Sequence, residues 1–310
     1  MPHFVGCTVE ESQQLFEQLF RRATLTARHG LLASALSGVD IALADLEAKL
    51  AELPLHQFLA PQSESQTDVY ASGGLYGENK DEAALSTEMC AMAGDGFNLL
   101  KMKIGALSIQ QDLARIEAVL KAIPPQVNLI IDGVYSYTVD AAKQLFDALP
   151  ASRIEAFQSP LPAADISGMA VLNNAGVPVM ATEAEYRTEI HQWLLEHNAV
   201  TFLQTAPIAS GGLRRIRALH ESVKGSPVQL SLEVSSTAVA FLVAAHLSAA
   251  YNSVAHVEYH YVHQVFFDQL PGRVGESGIG IYALSDAYGL GIELDTSKVK
   301  HEFTLSSVDY

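Results

Sequence analysis

Leu99-Leu100-Lys101-Met102-Lys103 and Asn128-Leu129-Ile130-Ile131-Asp132 decide how this chain folds. Both runs are apolar in the middle, end on a charged residue, and are too short to be helices. Two more follow with the same form, Ile154 to Gln158 and Val179 to Glu183. Their last residues, 103, 132, 158 and 183, are 29, 26 and 25 positions apart. Each step holds one strand, one helix and two loops. One intervening helix can be read directly. Leu113, Ile116, Leu120 and Ile123 share a face, Ser108 and Gln111 form a capping box at its start, and Pro124-Pro125 end it.

Outward from this core the rhythm continues. Val69 to Ser72 precedes it, and Thr201 to Gln204, Val228 to Glu233 and Ala255 to Tyr259 follow, giving eight candidate strands. Alternating β and α units predict a parallel sheet. Eight strands favour closure into a barrel, with an open doubly wound sheet as the alternative. Before the strands, Glu10 to Arg28 and Leu31 to Leu50 carry helical apolar stripes, and Pro54 stops the second.

Composition narrows the function classes. The 310 residues carry 19 Lys and Arg against 35 Asp and Glu, a formal net charge of −16. That balance argues against nucleic-acid binding, which needs cations against phosphates. It leaves an anionic substrate open, because a bound cation and paired lysines reverse the field locally. Cys7 and Cys90 form neither a metal spacing nor a disulfide framework. The longest apolar stretch, Ala238 to Ala250, is interrupted by His246 and is too short to span a bilayer. The N-terminus lacks the pattern of a signal peptide. A cytoplasmic protein, away from membranes, is expected.

In an α/β barrel the active site lies at the C-terminal ends of the strands. Lys101 and Lys103, Asp132, Glu183, Glu233 and Glu258 all sit at such ends. Lys101 and Lys103 flank Met102, so both point to one face, the barrel interior. Two neighbouring ammonium groups disfavour each other's charged form, so at least one pKa is expected to fall, making a usable general base. Asp132 and Glu183 are oxygen donors of the kind Mg²⁺ prefers. A metal on a substrate carboxylate accepts charge as an enediolate forms. His256 and His260 have the spacing of a helical zinc pair, but their segment reads as strand and loop. His263 completes the histidine cluster, and His260 is expected to line the barrel mouth instead of binding zinc.

The ordered set of motifs resembles the mandelate racemase and muconate lactonizing branch of the enolase superfamily. The matching residues are Ser37 to Glu47, Lys101-Met102-Lys103, Asp132, Ala181-Thr182-Glu183, Gly211-Gly212, Glu258 and Tyr288 to Asp295. The resemblance implies a (β/α)7β TIM-like barrel at residues 67–265. A partial capping domain at 1–66 and a C-terminal segment at 266–310 returning to the cap would complete it. It implies Mg²⁺ at the ends of strands three, four and five, held by Asp132, Gln158 and Glu183. Lys103 would take the α-proton of a small carboxylate substrate, with Lys101 and Glu258 on the carboxylate. Relatives racemise, cycloisomerise or dehydrate carboxylic acids, many of them acid sugars, and commonly form homo-oligomers.

Departures from the family pattern sharpen the expectation. Gln158 stands where members carry a glutamate ligand, which predicts weaker metal binding. Val134 replaces a frequent asparagine. Ala206 replaces the second acid or base, five residues before the glycine pair. Glu233 falls near a position where members carry histidine, and burial would let it act as acid or base. Members begin with three antiparallel strands whose loop closes over the substrate. This chain opens on the helices that follow, so a cap without its sheet and lid is expected. Dehydration with Lys103 as a single base is favoured over racemisation, which needs a base on each face. The alternatives are a non-catalytic relative serving as a structural or binding subunit, and an unrelated barrel aldolase with a Schiff-base lysine.

Overall fold

A computed structural model describes residues 4–26, 30–183, 185–266, 274 and 278–293. Three helices lead the chain, α1 (Val9–Thr26), α2 (Leu31–Leu50) and α3 (Leu55–Leu59). Strands and helices then alternate: β1 (Gln66–Ser72), α4 (Glu82–Gly94), β2 (Leu99–Lys103), α5 (Ile109–Ala122), β3 (Asn128–Asp132), α6 (Val139–Asp147) and β4 (Ile154–Gln158). The series continues with α7 (Ile166–Asn174), β5 (Val179–Ala181), α8 (Thr188–Glu196), β6 (Phe202–Thr205), α9 (Leu213–Val223), β7 (Gln229–Leu232), α10 (Ala238–Ala250) and β8 (Val254–His260). A short β9 (Ile281–Ala283) comes last.

The eight parallel strands run in chain order around a closed ring, because β1 pairs with both β8 and β2. The architecture is a (β/α)7β barrel, the closed eight-stranded ring that the strand pattern favours over an open sheet and the form that the family resemblance implies. Sequence reading missed β9, which pairs antiparallel with the start of β1, Gln66 to Asp68. Three residues next to glycines give too little pattern to reveal a strand. The capping box expected at α5 is present: Gln111 N donates to Ser108 Oγ at 3.4 Å, and Ser108 N donates to Gln111 Oε1 at 3.2 Å.

Side chains alternate across each strand and so build two cores. The outward set, including Val69, Leu100, Met102, Leu129, Ile131, Phe157, Leu203, Leu230 and Val257, packs against the helices in one continuous cluster. The inward set starts apolar, with Tyr70, Ile130, Ala156, Met180 and Phe202 forming a separate plug. One step further along the same strands the inward residues turn polar: Ser72, Lys101, Asp132, Gln158, Gln204 and Glu258, all buried. The plug closes the lower barrel, so this polar layer opens at the C-terminal end alone.

The leading helices are tied to the barrel by polar contacts as well as packing. Ser37 Oγ on α2 accepts from Gly211 N at 3.0 Å, and Asp40 accepts from Arg214 N at 3.1 Å and from Arg214 Nε at 2.8 Å. Gly212 has φ +83°, and a Cβ there would lie 2.4 Å from Asp40 Oδ2. The approach of α2 therefore requires glycine. On α3, His56 N donates to His246 Nδ1 of α10 at 3.1 Å, and the two imidazoles stack. The expected return of segment 266–310 falls largely outside the described residues. The described part does meet the leading helices, with Leu290 N donating to Asp45 Oδ1 at 2.7 Å and Leu55 N to Gly289 O at 2.7 Å. No helix among the described residues is long and apolar enough to cross a membrane.

Candidate active site

The site is built at the top of the polar layer. β2 delivers Lys101, buried, and Lys103, half-buried nearer the mouth. β3 ends on Asp132, which lies opposite Lys103 in register. Lys103 Nζ forms an ion pair with Asp132 Oδ2, and Asp132 Oδ1 accepts from Val134 N at 3.0 Å. β4 ends on Gln158, opposite Asp132. Glu183 follows β5, and its Oε2 accepts from Ser159 Oγ at 3.0 Å. Glu258 on β8 pairs with Lys101 at 2.7 Å.

Lys101 is the hub of the deeper layer. Its Nζ contacts Glu258 Oε1 and donates to Gln158 Oε1 at 3.0 Å, and it sits 5.4 Å from the Tyr70 ring centroid. Gln204 Nε2 donates to Tyr70 Oη at 3.2 Å and reaches Gln158 Oε1 at 3.4 Å. Burial pulls the Lys101 pKa down most strongly, but Glu258, Tyr70 and Asp132 together outweigh it and the ammonium is held above the ordinary lysine value. Burial likewise pushes Glu258 up, and Lys101 reverses this and holds the carboxylate below its usual range. The expectation that crowding by Lys103 lowers a lysine pKa therefore does not describe Lys101. A carboxylate in contact outweighs a second ammonium further along the strand.

Glu233, just past β7, behaves oppositely. Burial and the neighbouring Glu258 charge raise its pKa from 4.5 to about 7. β7 lies three strands from β2 around the ring, so Glu233 and Lys103 enter the mouth from different sides. His260, on the interior face of β8, stacks on His263 with centroids 3.9 Å apart, and burial lowers its pKa to about 4. It lines the mouth as a neutral ring. His256 lies deeper, with Nδ1 3.2 Å from Ser231 Oγ and its ring edge-on to Tyr70.

All seven residues singled out in the sequence thus converge on one mouth: Lys101, Lys103, Asp132, Gln158, Glu183, Glu233 and Glu258. Sequence reading missed Tyr70, Gln204, Ser159 and Tyr135. Gln204 had a usable signal, an amide directly after the apolar pair Phe202-Leu203, whereas Tyr70 lies in a strand already rich in polar residues. Tyr135 and Ser159 lie in loops, at φ +61° and +44°, and Val134 has φ +47°. Such left-handed backbone in non-glycine residues clusters at functional sites. Burial and the Glu183 carboxylate hold the Tyr135 phenol protonated.

Asp132, Gln158 and Glu183 offer oxygen only, two carboxylates and one amide on three neighbouring strand ends. A hard divalent cation such as Mg²⁺ prefers that chemistry, and two carboxylates match its charge. No group of three His, Cys, Asp or Glu suited to a metal occurs among the described residues. The third donor of this set is an amide. The residues fit Mg²⁺ with one negative charge fewer than three carboxylates would supply.

Residues 84–298 match the family model described as enolase C-terminal domain-like, and residues 1–60 match the N-terminal domain of the mandelate racemase / muconate lactonizing enzymes. The chain belongs to this family, within the enolase superfamily. It is 28% identical over 290 residues to an arabinonate dehydratase of Saccharolobus solfataricus, covering 91% of this chain and 77% of the relative. It is 27% identical over 302 residues to a D-galactarolactone cycloisomerase of Agrobacterium fabrum, covering 94% and 79%. Among solved structures, the 3,6-anhydro-D-galactonate cycloisomerase from Zobellia galactanivorans superposes with a TM-score of 0.86 at 28% identity, covering 96% of this chain and 83% of that one. A racemase from Streptomyces coelicolor with bound magnesium has a TM-score of 0.82 at 22% identity, covering 94% and 78%, and shares the fold. The family's relatives are dehydratases, cycloisomerases and epimerases, several acting on acid sugars.

Proposed function

We propose that this chain is a Mg²⁺-dependent lyase or isomerase that removes the α-proton of a small carboxylate, with dehydration of a hydroxy acid or acid sugar as its reaction. The observation that carries the reading is the pairing of unlike groups across one mouth. Lys103 stands on one side, and Glu233, with a pKa of about 7, stands on another.

Asp132, Gln158 and Glu183 would hold the cation, which when bound supplies positive charge to the substrate carboxylate as electron density moves onto it. Lys101, kept charged by Glu258, pairs with that carboxylate and orients the substrate. Lys103, in its neutral form, takes the α-proton, and the C–H electron pair becomes the new carbon–carbon double bond as the β-hydroxyl departs. Glu233, in its protonated form, donates to the departing oxygen, so one water leaves. The enol product then ketonises to a 2-oxo acid. Placing the acid on Glu233 replaces the single-group route that the missing second base suggests, because burial gives Glu233 the protonation state an acid needs near neutral pH.

The test is solvent deuterium exchange and 2-oxo acid formation, followed by NMR over a panel of aldonic and aldaric acids with MgCl₂. Lys103→Ala should abolish both signals, and unchanged exchange in that variant would refute the assignment. A second reading has its own support. The three oxygen donors already accept hydrogen bonds or ion pairs from Lys103, Lys101 and Ser159. A chain content with those partners would be a binding subunit without metal. Calorimetric titration with MgCl₂ separates the two, because the binding subunit gives no heat.

A further inference from the structure

Asp112 occupies a place where an acidic residue is usually solvated, the first turn of a helix, here α5. Instead it is fully buried. A buried carboxylate persists where donors satisfy it, and this one has three. Gly105 N donates to Oδ2 at 2.8 Å, Tyr137 Oη to Oδ2 at 2.9 Å, and Tyr76 Oη to Oδ1 at 2.6 Å. These donors belong to three different strand-end loops, after β2, β3 and β1. Burial, reinforced by the carboxylate itself, raises both phenol pKa values, so both tyrosines remain donors.

The clamp bears directly on the lysine at the mouth. Arg115, one turn further along α5, stacks 4.0 Å from the Tyr76 ring centroid and donates to Lys103 O at 3.4 Å. Ile104 N donates to Asp132 O at 2.8 Å. Gly105 has φ +97°, and a Cβ there would lie 2.8 Å from Gly133 O, so the loops after β2 and β3 touch backbone to backbone.

We propose that Asp112 is a positioning residue that clamps the loops after β1, β2 and β3 together and so fixes Lys103 against Asp132. The inference builds on the reading of Lys103 as the base, yet its test does not depend on turnover. The protein is labelled with ¹³C at lysine Cε, and the Lys103 and Lys101 signals are assigned with Lys103→Arg and Lys101→Arg. In Asp112→Asn, which keeps the shape and part of the bonding, the Lys103 signal should shift while the Lys101 signal, anchored by Glu258, stays. In Asp112→Leu the Lys103 signal should broaden or split. An unmoved Lys103 signal in folded Asp112→Leu overturns the proposal. So does an equal shift of every lysine in Asp112→Asn, which marks general loosening. Deuterium exchange on the same acid panel should fall about 100-fold in Asp112→Leu, the scale of a one-ångström misplacement, and less in Asp112→Asn. Silence of the wild type in that assay would remove the base role of Lys103, and the lysine signals would still decide the role of Asp112.

Discussion

Gln158 and Glu233 are single side chains whose chemistry sets the character of the mouth. With Gln158 in the set, the proposed cation site offers two carboxylates, Asp132 and Glu183. Gln158→Glu adds the third, and Mg²⁺ affinity measured by calorimetry should rise by at least tenfold, about 1.4 kcal/mol. The same change gives Lys101 a second carboxylate neighbour beside Glu258. Glu233 makes a prediction with a sign. Its folded pKa of about 7 lies above 4.5, so the folded state holds a proton that the unfolded state releases between those values. Its contribution therefore favours folding at low pH and is lost as pH rises toward 7. Glu233→Gln should raise the midpoint of urea unfolding at pH 8, by about 1 to 3 kcal/mol of stability, and leave it unchanged at pH 4. As the proposed acid, Glu233 should also make the rate of 2-oxo acid formation fall above pH 7, and that limb should vanish in Glu233→Gln.

At the scale of elements, the contact between α2 and the start of α9 is one joint of the leading helices with the barrel. Gly212→Ala meets Asp40 and a positive φ together. The variant should lose about 1 to 3 kcal/mol, read as a lower Tm, and Gly212→Ala with Asp40→Ala should recover part of it by removing the clash. The second joint, α3 against α10, responds to acid. Burial lowers the His246 pKa to about 3, and burial also lowers that of His56. Unfolded histidines take protons near 6.5, so this joint's stability is full above that pH and is lost as pH falls toward 3. His246→Gln should flatten the acid limb of a Tm-against-pH curve.

Across the whole molecule, the barrel was legible because its strands end on charged or polar residues at near-equal steps. Lys103, Asp132 and Gln158 mark both the rhythm and the mouth. What stayed hidden depends on contacts between distant segments. Asp112 looks like a solvated helix-start acid until the tyrosines of two other loops close on it. The charge state of Lys101 follows from Glu258, 157 positions away. β9 exists because the start of β1 offers it an edge. Ala206, in place of the second acid or base, pointed to a missing second group, and burial is what raises the Glu233 pKa.

That same separation governs how the molecule is made. β1 waits between β8 and β2, so the first strand of the barrel cannot be enclosed until residue 260 has left the ribosome. Non-local pairings of this kind slow folding, and unfinished sheets carry open edges. A chain stopped after Ala250 should therefore be insoluble and show no slow-exchanging amides in β1, a result hydrogen exchange on the released product can check. Ring closure makes the pocket conditional on its last strand: a nascent polypeptide acquires the Lys101–Glu258 pair once β8 has emerged, and one that stops before β8 never displays it.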